Sequence, residues 1–264
     1  MTRPDMAAIG RRFRPSDMLT ALALLTRLPL PYTHSAARAP SAAAWAYPLV
    51  GLVVGGIALC IGWVMQSLGT AAPVTAFFIL LSMIVMTGAM HEDGLADCAD
   101  GFWGGWTVSR RLEIMKDSQI GTYGVIALAM SLFLRWYILT LMIDKGALTG
   151  AVLVSAVMSR AAMVWIMHRL PNARKSGLSA QTGRPAGLTT VGALAIGGVT
   201  ALAAPEVSFV WLVVFAGLAT LTAGWIARSK IGGQTGDVIG ATQQMVEITV
   251  LIAFDVMISN WDAA

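Results

Sequence analysis

APVTAFFILLSMIVMTGAM (72–90) runs directly into HEDGLADCADGFWGGWTVSRRLEIMKD (91–117), and this junction decides how the chain is read. The first string carries no charged residue, and at about 1.5 Å per residue it comes close to crossing ~30 Å of hydrocarbon. The second holds six of the chain's 14 acidic residues: Glu92, Asp93, Asp97, Asp100, Glu113 and Asp117. An apolar chain that gathers its carboxylates at the end of an apolar run reads as a membrane protein with its chemistry at the membrane surface.

Composition supports this reading. Of 264 residues, 56% are hydrophobic and 12% charged, with a mean hydropathy of +0.70. Soluble domains carry about 25% charged residues. The expected fold class is therefore all-α, a polytopic helical bundle embedded in the lipid bilayer. Seven spans are predicted, at 46–67, 72–90, 120–143, 146–168, 188–204, 207–227 and 238–258. The run 188–204 is short and Gly-rich, so six to eight spans are compatible with the pattern. One membrane domain covers 1–264, with 1–45 as a cytoplasmic or interfacial segment and 91–119 as an acidic catalytic loop. Arg11, Arg12 and Arg14 precede an apolar stretch from Met18 to Leu30, an outline shared with signal peptides. Arg27 interrupts that stretch, and Pro29 and Pro31 end it, so an interfacial or re-entrant helix is expected instead. Cys60 and Cys98 show no motif spacing, and no disulfide is expected.

The basic residues assign an orientation. With the segment before residue 46 in the cytoplasm, that side holds Arg3, Arg11, Arg12, Arg14, Arg38, Arg110, Arg111, Lys116, Arg169, Arg174, Lys175, Arg184, Arg228 and Lys230. The opposite side holds only Lys145, while Arg27, Arg135 and Arg160 fall inside apolar stretches. This asymmetry follows the positive-inside rule. The pI near 9.4 thus reflects topology, and no nucleic-acid partner is expected. The acidic loop, the basic loop 169–187 and the Gly-rich loop 228–237 should all face the cytoplasm, as in a bacterial inner membrane protein.

Asp93, Asp97 and Asp100 are spaced i, i+4, i+7, which places them within about 60° of arc on one helix face. Carboxylates so placed repel one another unless a cation lies between them, and an oxygen-only donor set suits Mg²⁺ or Mn²⁺. Gly94, Gly101, Gly104 and Gly105 allow close backbone approach. Arg110, Arg111 and Lys116 follow, placed to neutralise phosphate oxygens. Acid for metal and base for phosphate together suit phosphoryl transfer. An acidic surface segment that merely caps helices is the alternative, and three in-phase aspartates in a charge-poor chain argue against it. His91 reads as interfacial, or as a ligand or base. Trp103 and Trp106 read as belt residues, or as stacking platforms. HRLPNARKSGLSAQTGR (168–184), with Lys175, and IGGQTGDVIGATQQ (231–244), with Gln234 and Asp237, are expected to add substrate contacts. Arg160 and Glu247 both lie deep in their spans, and buried charges usually pair, so an Arg160–Glu247 interaction is predicted.

Several strings resemble one known family. LLTRLPLP (24–31), WAYPLVGLVVGG (45–56), TGAMHEDGLADCADGFWGG (87–105), RRLEIMKDSQIGTYG (110–124) and GGQTGDVIGATQQMVE (232–247) are similar to the cobalamin synthase, or adenosylcobinamide-GDP ribazoletransferase, family. The resemblance covers almost the whole chain. Cys98 stands where that family is expected to carry a small residue, often Thr. The resemblance implies a Mg²⁺-dependent membrane enzyme. α-Ribazole or its 5′-phosphate would attack the pyrophosphate of adenosylcobinamide-GDP, releasing GMP and forming adenosylcobalamin or its 5′-phosphate. On this view Asp93, Asp97 and Asp100, with Glu92 or Asp117, hold one or two metal ions on the diphosphate. Asp117 or Asp100 serves as base. Arg110, Arg111 and Lys116, together with Arg160, Lys175, Gln234 and Asp237, contact the substrate.

Three rivals are weaker. A CDP-alcohol phosphotransferase needs DxxDGxxAR followed by two later aspartates, and no Arg follows Ala96 here. An aspartate-rich prenyltransferase needs a second acidic loop, where 228–237 offers only Asp237. A transporter would place its carboxylates near the bilayer midplane. Oligomerisation is compatible with the Gly-rich spans.

Overall fold

Within hydrocarbon a chain must satisfy its own backbone hydrogen bonds, and an apolar run does so by closing into a helix. The computed structural model describes residues 13–30, 39–205 and 207–261, and it is all-α in these segments. Helix α1 spans Pro15–Leu25, and a 3₁₀ segment Pro40–Ala46 leads into α2, Tyr47–Ser67. Then follow α3 Ala72–Thr87, α4 Met90–Gly104, α5 Val108–Ile114, α6 Thr122–Asp144 and α7 Leu148–Arg169. The chain ends with the short α8 Leu178–Thr182, α9 Gly187–Leu202, α10 Phe209–Ile231 and α11 Gly236–Trp261.

Five of these helices, those containing α2, α6, α7, α10 and α11, are long and apolar enough to cross a membrane. A sixth span arises if α3 and α4 are taken together across their 85° bend. The expected span 72–90 thus stops at Thr87. Gly88 and Ala89 both adopt left-handed backbone, at φ 65° and 56°, and turn the chain aside. The expected span 188–204 is a helix of 16 residues, about 24 Å long. The region expected to be an acidic loop is instead helix α4, followed by α5.

Helix α7 forms the centre and is buried along most of its length. It packs against α2, α9, α10 and α11. Helix α11 packs in turn on α7, α10, α6 and α4, so the acidic helix α4 lies across α11 and α6. Large apolar side chains such as Phe77, Val125, Val199 and Trp225 point outward, as a lipid-facing surface requires. Helix α1 is held against the bundle. It packs on α2 and on the 3₁₀ segment, and its buried Asp17 accepts a hydrogen bond from Trp45 Nε1 at 2.8 Å. Arg3, Arg11, Arg12 and Arg38 lie outside the described residues.

Candidate functional site

The site begins at the bend. Among the described residues, Ala89 is the only non-glycine residue with positive φ, a conformation that costs roughly 1–2 kcal/mol. The bend sends α4 across the start of α11, and the two backbones touch there. A β-carbon on Gly94 would lie 2.7 Å from the Asp237 carbonyl oxygen, and one on Gly240 would lie 3.2 Å from the Met90 carbonyl oxygen. Only glycines permit this crossing. It brings Asp93 and Asp97 of α4 up to Asp237 of α11.

Asp93 is exposed and Asp97 half-buried. Asp97 lies within the electrostatic reach of the Asp237, Asp93 and Asp100 carboxylates and of the Arg174 guanidinium. Arg174 donates to Asp237 Oδ2 at 3.3 Å and to the Leu112 carbonyl at 2.9 Å, so it ties the basic loop to α11 and to α5. Thr235 donates to the same Asp237 oxygen at 3.1 Å. Asn172 and Gln234 form a parallel bridge. The Gln234 amide N–H donates to Pro171, and the Ala173 N–H donates to Gln234. The Gln234 side chain donates to Asn172 Oδ1 and accepts from Ser179 Oγ at 2.6 Å. Asp93, Arg174, Asn172, Ser179, Gln234 and Asp237 line a polar cavity of about 150 Å³. The three polar segments that the charge pattern placed on one side therefore do meet at one end of the bundle.

Several residues expected at the metal are used elsewhere. Asp100 is buried and accepts the N–H groups of Gly121 at 2.7 Å and Gly124 at 2.9 Å, which caps the start of α6. A carboxylate there also complements the helix dipole. Glu92 turns inward and accepts from Arg135 Nη2 at 2.9 Å and Gln244 Nε2 at 3.1 Å. Arg135 donates through its other arm to Glu247 at 3.1 Å. The predicted Arg160–Glu247 pair is not formed, because Arg135 from α6 sits between the two glutamates and takes both. Arg160 donates to the Ala156 carbonyl at 2.9 Å, buried within reach of both glutamate charges but away from the polar cavity. Glu92 thus joins Arg135, Arg160 and Glu247 in the interior, and the two positive and two negative charges balance.

The basic cluster is also redistributed. Arg111 is structural, donating to the Gly105 carbonyl at 2.9 Å and the Lys230 carbonyl at 2.8 Å. Arg110 pairs with Glu113 on the exposed face of α5. Lys116 and Lys175 are exposed. Asp117 is exposed and accepts from the Gln119 N–H at 3.1 Å within its own turn. Trp106 is open to solvent, and Lys230 lies 5.1 Å over the Trp103 ring. At the far end of the bundle Lys145 pairs with Asp255 at 2.9 Å.

Among the described residues, no group of three His, Cys, Asp or Glu side chains is close enough to hold a metal ion by itself. Mg²⁺ rarely needs such a cage, being held by one or two carboxylates together with substrate phosphates and water. The all-oxygen set of Asp93, Asp97 and Asp237 beside a polar cavity fits that mode. Arg174, Asn172 and Ser179 were missed as site residues in the sequence. Their signal was the mixture of base, amide and hydroxyl in 168–184, which does not say which member faces inward.

Comparison with known proteins adds to this geometry. The model of the CobS family, described as cobalamin-5-phosphate synthase, matches residues 17–255. A protein of Mesorhizobium japonicum named adenosylcobinamide-GDP ribazoletransferase is 38% identical over 260 residues, covering 98% of this chain and all of the relative. Relatives of the same name from Rhizobium meliloti and Bradyrhizobium diazoefficiens are 42% and 40% identical, covering 89% and 90% of this chain and 94% and 92% of their own. No solved structure matches the chain.

Proposed function

Because the chain belongs to the cobalamin-5-phosphate synthase family, a family of transferases that act in cobalamin synthesis, we propose that it joins α-ribazole or its 5′-phosphate to adenosylcobinamide-GDP with release of GMP. The observation that carries the proposal is the meeting of Asp93, Asp237 and Arg174 at one polar cavity, with Asp97 within electrostatic reach of all three. A diphosphate donor needs its charge balanced, and this is the place in the fold where carboxylates, a guanidinium and open space coincide.

The reaction makes one P–O bond and breaks one. The ribazole hydroxyl oxygen attacks the phosphorus joined to the cobinamide, and the bond from that phosphorus to the GMP oxygen breaks. Mg²⁺ held by Asp93 and Asp237 would supply charge neutralisation on the diphosphate. Arg174, fixed by Asp237 and Leu112, binds phosphate oxygens and steadies the charge that develops on leaving GMP. Asp97 accepts the hydroxyl proton. Asp100 and Asp117 do not suit that role, since one is spent on two backbone amides and the other lies exposed in a turn. Asn172, Gln234 and Ser179 hold the loops 171–179 and 232–235 together and set the width of the cavity.

The cavity opens at the end of the bundle that carries most of the basic residues among those described. By the positive-inside rule we place that end in the cytoplasm of a bacterial inner membrane. The test is GMP release by the purified protein in lipid nanodiscs, supplied with adenosylcobinamide-GDP. Release should require both the ribazole acceptor and Mg²⁺, with Mn²⁺ as a substitute. Release that ignores the acceptor, or turnover undiminished by a chelator, would count against the reading.

A further inference from the structure

Beside the polar cavity lies a second, smaller one of about 40 Å³. The two share Met90, Leu178, Ser179 and Gly236 as a common wall. Its remaining lining is mostly apolar, with Leu25, Met163, Met167 and Ile239, but Tyr47 and His91 also face it. Both are 2% exposed, and neither the Tyr47 hydroxyl nor either ring nitrogen of His91 has a hydrogen-bond partner. The other polar lining residues are engaged, Ser179 with Asn172 and Gln234, and Thr182 with the Leu178 carbonyl. A buried polar group without a partner costs about 1–3 kcal/mol, so three such atoms around one apolar hollow point to a missing occupant.

We propose that this hollow is the subsite for the heteroaromatic base of the acceptor, which deepens the functional reading above and rests on it. A ribazole carries a benzimidazole, a fused and largely apolar bicycle with one free ring-nitrogen lone pair. Such a ring matches apolar walls with very few donors. A guanine, with hydrogen-bonding groups around most of its edge, does not. Tyr47 and His91 donate to the ring nitrogen and to the sugar beside it, and the sugar then extends through the shared wall toward Asp93, Asp97 and Asp237. As it stands the hollow has room for a few water molecules and only the edge of a ring. Three of its walls are methionine side chains, which re-pack easily around a ligand.

The test is direct binding, measured by calorimetry on the full chain in nanodiscs with no donor present, so the result stands whether or not turnover is seen. The probes are α-ribazole, its analogue with CH in place of the free ring nitrogen, and adenosine. Tyr47→Phe and His91→Asn should each weaken α-ribazole about tenfold, the worth of one hydrogen bond. The analogue should bind the unaltered protein about tenfold more weakly, and adenosine should not compete. Tyr47→Phe removes a hydroxyl with no partner and should leave the melting temperature unchanged or raised, so its effect will not arise from misfolding. If both variants bind α-ribazole as the unaltered protein does, the hollow holds ordered water only and the proposal fails. Equal binding of adenosine would also overturn it.

Discussion

Gly94 lies so close to Asp237 that the α4 and α11 backbones are in direct contact, and this contact sets the spacing of the Asp93, Asp97 and Asp237 carboxylates. The obstacle to any side chain at 94 is backbone, which cannot rotate away. Gly94→Ala must therefore push the helices apart. Overpacking of this kind costs about 1–3 kcal/mol. We expect a modest fall in thermal stability in detergent and a much larger fall in GMP release. An alanine variant with undiminished turnover would show that the crossing distance does not matter.

Arg135 joins two glutamates from different helices within the apolar interior, about 16–20 Å along α6 and α11 from their starts. Removing it leaves two buried carboxylates with Arg160 as their one counter-charge. Arg135→Met should destabilise the protein by roughly 3–5 kcal/mol, read as a large drop in melting temperature. Adding Glu92→Gln to that variant, which leaves Glu247 facing Arg160, should recover most of the loss. Failure of this charge-balanced double variant to recover stability would show that packing, not charge balance, is what Arg135 provides.

Arg174 links Asp237 to the Leu112 carbonyl through its two arms. A lysine keeps the charge but cannot span both partners. Arg174→Lys should lower kcat/KM for adenosylcobinamide-GDP by about a hundredfold, the usual scale for loss of one preorganised donor, and should leave α-ribazole binding intact. A variant that bound both substrates and turned over normally would remove Arg174 from the site.

The legible features were those fixed by local pattern. Apolar run length located the long helices, and helical phase put Asp93 and Asp97 on one face. The same phase included Asp100, whose use depends on Gly121 and Gly124 lying beside it, a tertiary fact that spacing along one helix does not carry. Arg135 and Arg160 look alike in sequence, each a lone charge in an apolar run. Which one meets Glu247 depends on the rotation of α6 and α7 in the bundle. The bend at Gly88–Ala89 was hidden because apolar residues continue to Met90, so hydropathy passes through it unchanged. Tyr47 and His91 gave no sign that both would be buried against one hollow.

The central claim is that Asp97 and Asp237, from two crossing helices, form one phosphoryl-transfer site. It is tested most directly by initial rates of GMP release from adenosylcobinamide-GDP with saturating α-ribazole and Mg²⁺, for Asp97→Asn and Asp237→Asn beside the unaltered protein. Both variants should lose about a thousandfold or more while keeping an unchanged melting temperature. Turnover within about tenfold of the unaltered protein in either variant, at equal stability, would contradict the account.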